Sequence, residues 1–108
     1  MRKIALSLAH SRHTPSIING ISEYFLSKSL CTYMYEVLKP DYQVCIFDKI
    51  LHEKKKTYMY ALKKNIENIN KFAPDIAIEP HFNAAKKTGD YSLVLHSSST
   101  ASTKLAQF

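Results

Sequence analysis

The chain has 108 residues, of which 45% are hydrophobic and 22% are charged, and these shares are ordinary for one globular domain with a modest core. No apolar stretch approaches the ~20 residues that a membrane span needs, and no small-residue cleavage site follows the amino terminus, so we expect neither a span nor a secretion signal. The formal net charge of +6 favours an anionic partner such as nucleic acid, a cell-wall polymer or a membrane surface, without choosing among them.

The first half of the chain predicts a strand, a loop and a helix. A strand over 3–9 is apolar on both faces, which is typical of the middle of a covered sheet. A polar loop over 11–19 follows, and Ser22 is the expected N-cap of a helix that runs to about Lys39. Pro40 ends this helix. Its expected core-facing stripe consists of Leu26, Leu30, Met34, Val37 and Leu38.

The second half continues the alternation of strands and helices. We expect strands over 42–47, 76–80 and 91–95, with a helix over 57–73 between the first two. A first helical turn at 103–108 ends the chain. The core-facing stripe of the 57–73 helix consists of Tyr58, Leu62, Ile66, Ile69 and Phe72. The sequence therefore predicts a single α/β domain over 1–108, truncated at its carboxyl terminus, with a largely parallel sheet.

Three potential metal ligands follow from this arrangement. His10 and His81 each come directly after a predicted strand, and Glu23 opens the first helix. The carboxyl ends of parallel strands share one edge of the sheet, where ligands bind in open α/β folds. Catalytic zinc takes three protein ligands and keeps a fourth position for water. The pattern therefore predicts a metal site and, with it, hydrolytic chemistry.

Other interpretations of these residues stay open. His13 is an alternative ligand to His10, although it lies deeper in the loop. An acidic residue at a helix start such as Glu23 is also explained by the helix dipole alone. His52 and His96 are expected at the surface or around the ligands, and His96 lies nearer the same edge.

Several segments match a known family in order and spacing. They are residues 8–10 (Leu-Ala-His), Glu23 at a helix start, residues 75–84 (Asp-Ile-Ala-Ile-Glu-Pro-His-Phe-Asn-Ala), residues 88–95 (Thr-Gly-Asp-Tyr-Ser-Leu-Val-Leu) and the helix start at 102–106. In these segments the chain resembles the zinc-dependent N-acetylmuramoyl-L-alanine amidases, the cell-wall hydrolases that include bacterial autolysins and phage endolysins. The resemblance covers nearly the whole chain.

By this resemblance, His10, Glu23 and His81 are the ligands of Zn²⁺. The implied fold is an α/β sandwich, in which helices flank a central, largely parallel mixed sheet. The implied reaction is hydrolysis of the amide bond between N-acetylmuramic acid and L-alanine in peptidoglycan. The protein would be made in the cytoplasm and would act at the cell wall if delivered there.

The catalytic residue and the substrate contacts are less defined. The family's catalytic glutamate lies beyond residue 108, so we expect the 108 residues alone to bind zinc weakly and to hydrolyse little. Glu79, beside the histidine motif, would contact the site or act as a surrogate base. Asn83 is expected to orient a metal ligand or to bind substrate amide groups. Lys86 and Lys87 are expected to meet stem-peptide carboxylates, although a solvated loop also explains the two lysines.

Departures from the family leave two competing functions. Ser11-Arg12 stands where the family has a glycine pair. Phe47-Asp48, and Asn65 or a neighbour of it, stand where the family usually has arginines. The alternative is therefore a degenerate domain of the same fold that binds cell wall or metal without cleaving. Nucleic-acid binding is suggested by the charge and the seven tyrosines. We do not expect it, because several of these tyrosines fall on predicted helices rather than on a stacking sheet.

Overall fold

A parallel three-stranded sheet forms the centre of the computed structural model, which describes residues 1–50 and 57–82. In chain order the elements are β1 (Lys3–Ser7), β2 (Ile17–Ile18), β3 (Ile21–Ser22), α1 (Glu23–Leu38), β4 (Gln43–Phe47), α2 (Tyr58–Phe72) and β5 (Ile76–Ile78). The strand order is β4-β1-β5, and Ile4 of β1 is in register with Val44 on one side and Ile76 on the other. The predicted α/β class and parallel sheet are confirmed in this part of the chain.

The central strand is buried on both faces because a helix packs on each side of it. Ile4, Leu6 and Leu8 belong to a core cluster with Tyr24 and Cys31 of α1. Alternate residues of a strand point to opposite faces. On the other face, Ser7 accepts a hydrogen bond from Asn65 of α2, whose Nδ2 lies 3.1 Å from Ser7 Oγ. β1 therefore lies between α1 on one face and α2 on the other.

The loop after β1 contains a hairpin that the sequence analysis missed. Ile18 of β2 pairs with Ile21 of β3, and the two residues between them are Asn19 and Gly20. Their φ angles are 52° and 78°, the left-handed pair that a type I′ turn requires. The expected polar loop over 11–19 was therefore wrong at its carboxyl end, where β2 lies. Asn-Gly between apolar residues is the strongest local signal for such a hairpin.

The core-facing stripe predicted for α1 was wrong in phase. Leu26, Leu30 and Val37 are 38%, 37% and 55% exposed, although Met34 and Leu38 are partly buried against the core as expected. The buried face instead runs through Glu23, Tyr24, Ser27 and Cys31. Two of these four residues are polar. Because the prediction was based on apolar residues alone, it placed the buried face of α1 on the wrong side of the helix.

The α2 stripe is closer to the expectation. Tyr58, Leu62, Ile69 and Phe72 are half-buried, whereas Ile66 is 48% exposed. The fully buried positions are Ala61 and Asn65. The strand expected over 91–95 and the helical turn at 103–108 lie outside the described residues. Within residues 1–50 and 57–82, neither helix has the length and apolar character of a membrane span.

Candidate metal centre

The edge of the sheet formed by the carboxyl ends of β1 and β5 brings three polar side chains together. His10 lies three residues after β1, and His81 lies three residues after β5. Glu23 is the first residue of α1, and its position is fixed by the N-cap Ser22, whose side chain accepts a hydrogen bond from the Phe25 amide. Because β1 and β5 are parallel neighbours, both histidines reach the same edge, where α1 also begins.

The three side chains converge on one point. Glu23 Oε2 lies 2.7 Å from His10 Nε2, and Glu23 Oε1 lies 3.1 Å from His81 Nδ1. One potential ligand atom from each of the three residues lies within 4.8 Å of the other two. The two imidazole rings stand edge to face, with their centroids 5.5 Å apart. A carboxylate thus lies between two imidazoles, which is the donor set of many zinc sites.

His10 Nε2 is a buried polar atom that forms no hydrogen bond within the described part of the chain. Glu23 Oε2 lies 2.7 Å from this nitrogen as an ion-pair contact rather than a hydrogen bond. Buried nitrogens without a hydrogen-bond partner are rare, and a bound ion is one accepted reason for them. The orphaned nitrogen therefore fits a metal ligand.

Glu23 is held as an anion at the centre of the triad. It is 8% exposed, and burial raises the pKa of its carboxyl. The backbone amide of Phe82, which donates to Oε1 over 3.0 Å, together with His10 and His81, outweighs burial and brings the pKa below its usual value. An ionised carboxylate beside two imidazoles is a donor set that attracts a divalent cation.

Zinc fits the spacing of these donors. Ligand atoms ~2.0–2.1 Å from a tetrahedral zinc are about 3.4 Å apart, which is about 0.7 Å more than the 2.7 Å between His10 Nε2 and Glu23 Oε2 and about 0.3 Å more than the 3.1 Å between His81 Nδ1 and Glu23 Oε1. Small rotations of the side chains would therefore accommodate the ion. Three protein ligands leave a fourth position for water or substrate.

A second layer of hydrogen bonds holds His81. Its Nε2 lies 2.7 Å from Glu79 Oε2, which leaves Nδ1 facing Glu23. Glu79 Oε1 accepts from Lys49 Nζ over 2.7 Å and from Ser7 Oγ over 2.7 Å. Asn65 in turn donates to Ser7 Oγ. Ligating histidines commonly present their second nitrogen to a carboxylate in this way.

These contacts weaken the interpretation of Glu79 as a surrogate base. Both of its oxygens already accept hydrogen bonds from charged or polar groups. Burial raises the pKa of this carboxyl, but hydrogen bonds from Lys49, Ser7 and His81 outweigh burial and lower it. A carboxylate with an occupied pair of oxygens and a low pKa is a poor proton acceptor. Its contacts suit a residue that orients His81.

Ser27 connects the two histidine-bearing segments to α1. Its Oγ accepts from the Ala9 amide over 3.0 Å and donates to the Pro80 carbonyl over 2.9 Å. Ala9 and Pro80 are the residues immediately before His10 and His81. Ser27 is fully buried and lies one helical turn after Glu23. A single hydroxyl therefore fixes the spacing between the backbones that present the ligands.

A shallow cleft of about 210 Å³ opens beside the triad on the side of the β2–β3 hairpin. Its lining consists of Ser16, Ile18, Asn19, Ile21, Glu23, Leu26 and Phe82. Four of these side chains are apolar, and Glu23 is the residue that the cleft shares with the triad. A substrate group bound there would lie next to the metal position.

Other residues that the sequence suggested have separate outcomes. His13 is exposed in the loop after β1 and is not part of the converging group. Asn83, Lys86 and Lys87 lie outside the described residues, as do His52 and His96. The contacts of Lys49, Ser27 and Asn65 were not foreseen. Of these three, only Lys49 has a local sequence signal, since it is a charged residue two positions beyond the predicted strand over 42–47.

Comparison of the chain with protein-family models, with curated proteins and with solved structures finds no match.

Proposed function

We propose that this chain is a zinc-dependent amidase domain that hydrolyses the bond between N-acetylmuramic acid and L-alanine in peptidoglycan. The observation that carries the proposal is the convergence of His10, Glu23 and His81 from three separate elements of the fold. These are the residues at which the chain resembles the zinc amidases. The α/β sandwich of that family belongs to the same proposal, and the parallel sheet between two helices is consistent with it.

The chemistry of the site supports a hydrolase. Bound zinc polarises a carbonyl and lowers the pKa of a coordinated water to ~7. In the proposal, His10 and His81 supply neutral nitrogen donors and Glu23 supplies the anionic donor. Glu79 keeps the proton on Nε2 of His81, so that Nδ1 is free to ligate. The cleft beside Glu23 leaves room for the scissile amide. No general base is assigned to a residue within 1–50 or 57–82.

Zinc binding is tested by ligand variants with a matched control from the same loop. His10→Ala and His81→Ala each remove one donor, and we expect the affinity for Zn²⁺ to fall by more than the ~10–100-fold that loss of an outer contact causes. His13→Ala removes an exposed imidazole outside the triad and should leave the affinity unchanged. Competition against a chromophoric chelator measures all three. Equal zinc binding by the parent protein and His81→Ala would refute the site.

Cleavage is tested separately with purified peptidoglycan. The zinc-loaded protein should release stem peptides with a new amino terminus at L-alanine, at a low rate because no general base is assigned within 1–50 or 57–82, and a chelator should stop the release. Release of reducing sugar ends instead would show a glycosidase. If neither product were released, amidase activity would be refuted.

A non-catalytic domain of the same fold is the second candidate, and the contacts of Glu79 favour it. Because this carboxylate is fully engaged by Lys49, Ser7 and His81, the described part of the chain offers no assigned proton acceptor beside the triad. Stoichiometric zinc binding without any product from peptidoglycan would support this candidate over the enzyme.

A further inference from the structure

Lys49 is the most deeply buried charged residue in the described part of the chain. Its side chain is 1% exposed and lies two residues beyond the end of β4. Burial of an ammonium group is costly unless the group is paired and hydrogen-bonded. Here the ammonium donates to the carboxylate of Glu79 and to the carbonyl of Leu8. A replacement of the pair by apolar side chains would avoid this cost, so an ion pair at this point calls for an explanation.

The two partners of Lys49 both lead to metal ligands. Glu79 and Leu8 each stand two residues before a histidine of the triad, His81 and His10 respectively. Through Glu79, the ammonium also sets which carboxylate oxygen faces the site. Oε1 is occupied by Lys49, and Oε2 is thereby directed at His81 Nε2, 2.7 Å away.

The orientation of His81 depends on that last contact. Its side chain is 42% exposed, so packing alone does not fix the ring. With Nε2 donating to Glu79, the lone pair of the imidazole is on Nδ1, the nitrogen that faces Glu23 over 3.1 Å. If the ring turned over, ring carbons would take the places of both nitrogens, and the ligand atom would be lost from the centre.

We infer that Lys49 is a positioning residue, which acts through Glu79 to hold the His81 imidazole with Nδ1 towards the metal. The inference rests on the proposed metal centre. Ser7 donates to the same oxygen of Glu79 but is neutral. Lys49 adds the positive charge that strengthens the hold on the carboxylate, since hydrogen bonds to ionised groups are about twice as strong as neutral ones.

The test removes the ion pair without leaving one charge buried alone. The double variant Lys49→Met, Glu79→Gln replaces both charged groups with neutral groups of similar length. We expect its affinity for Zn²⁺ to be ~10–100-fold weaker than that of the parent, the usual effect of losing an outer contact to a ligating histidine. The matched control is Lys64→Met, Glu67→Gln, which makes the same chemical changes in an exposed pair of α2 and should bind as the parent does.

A second variant covers the case in which the double variant does not fold. Glu79→Asp keeps a counter-charge for Lys49 but is one methylene too short to reach both Lys49 and His81, so we expect the same loss of affinity. The visible spectrum of bound Co²⁺ provides a readout that reduced folding would not shift, because it reports the geometry of the ligands. Both variants should alter this spectrum, and the control should not.

The outcomes separate the inference from the proposed function. A parent protein that fails to bind zinc overturns the proposed metal centre and this inference with it. A parent that binds zinc, together with a folded double variant or Glu79→Asp protein of unchanged affinity and unchanged Co²⁺ spectrum, overturns the inference alone.

Discussion

Replacement of Ser27 by alanine should destabilise the protein far more than the small change in size suggests. The hydroxyl is the hydrogen-bond partner of two backbone groups, the Ala9 amide at 3.0 Å and the Pro80 carbonyl at 2.9 Å. Alanine leaves both without this partner, and Ala9 is fully buried. An unsatisfied buried polar group costs about 1–3 kcal/mol. Alanine also favours a helix over serine by a few tenths of a kcal/mol. The buried Ala9 amide should account for about 1–3 kcal/mol and the half-buried Pro80 carbonyl for less, so the net loss should be about 1–4 kcal/mol.

Urea unfolding of the metal-free protein measures this loss. Ser29→Ala is the matched control, because Ser29 is exposed on the same helix and gains the same helix propensity. Its free energy of unfolding should stay within about 0.5 kcal/mol of the parent. If the two variants had free energies of unfolding within about 0.5 kcal/mol of each other, Ser27 would not be the clamp that the hydrogen bonds describe.

Two further predictions concern stability. Burial, together with the hydrogen bond to the Asp48 carboxylate, raises the pKa of Tyr24 from 10.0 to about 12. The protonated phenol contributes fully to the free energy of unfolding below the unfolded-state pKa of 10.0, and this contribution is lost as the pH rises to about 12. Over this pH range the free energy of unfolding of the parent should fall by about 2–3 kcal/mol relative to that of Tyr24→Phe, as measured by urea unfolding at each pH. Gly20→Ala should cost about 1–2 kcal/mol in the same assay, because Gly20 has a φ of 78° and the added methyl meets nothing within 4 Å, so the whole cost is backbone strain. Asn19→Gly, which keeps left-handed freedom in the turn, should be neutral, and equal effects of the two substitutions would argue against the type I′ turn.

The sequence was sufficient to predict the elements that present the triad. Apolar runs that end at His10 and His81 define two strands, and the rule that parallel strands share a carboxyl edge brings the histidines together. Glu23 follows from the N-cap at Ser22, which fixes where α1 begins. These inferences succeed because each depends on a local pattern plus one general rule of topology.

The contacts around the triad depend on geometry that a local pattern does not contain. Ser27 lies on the buried face of α1 because the helix rotates its polar residues towards the strand ends, and a stripe chosen by hydrophobicity points elsewhere. Lys49 and Glu79 are 30 residues apart and meet only because β4 and β5 flank β1. The hairpin at Asn19 is a different case, because Asn19-Gly20 between Ile18 and Ile21 is itself a local sequence signal for a type I′ turn.

His10 has a φ of 60°. This left-handed conformation costs an L-amino acid other than glycine roughly 1–2 kcal/mol of conformational free energy. Glycine would relieve this cost, but it would also delete the imidazole. Selection at position 10 therefore faces a trade-off between a relaxed backbone and a metal ligand, and variants chosen for thermal resistance alone should discard the histidine.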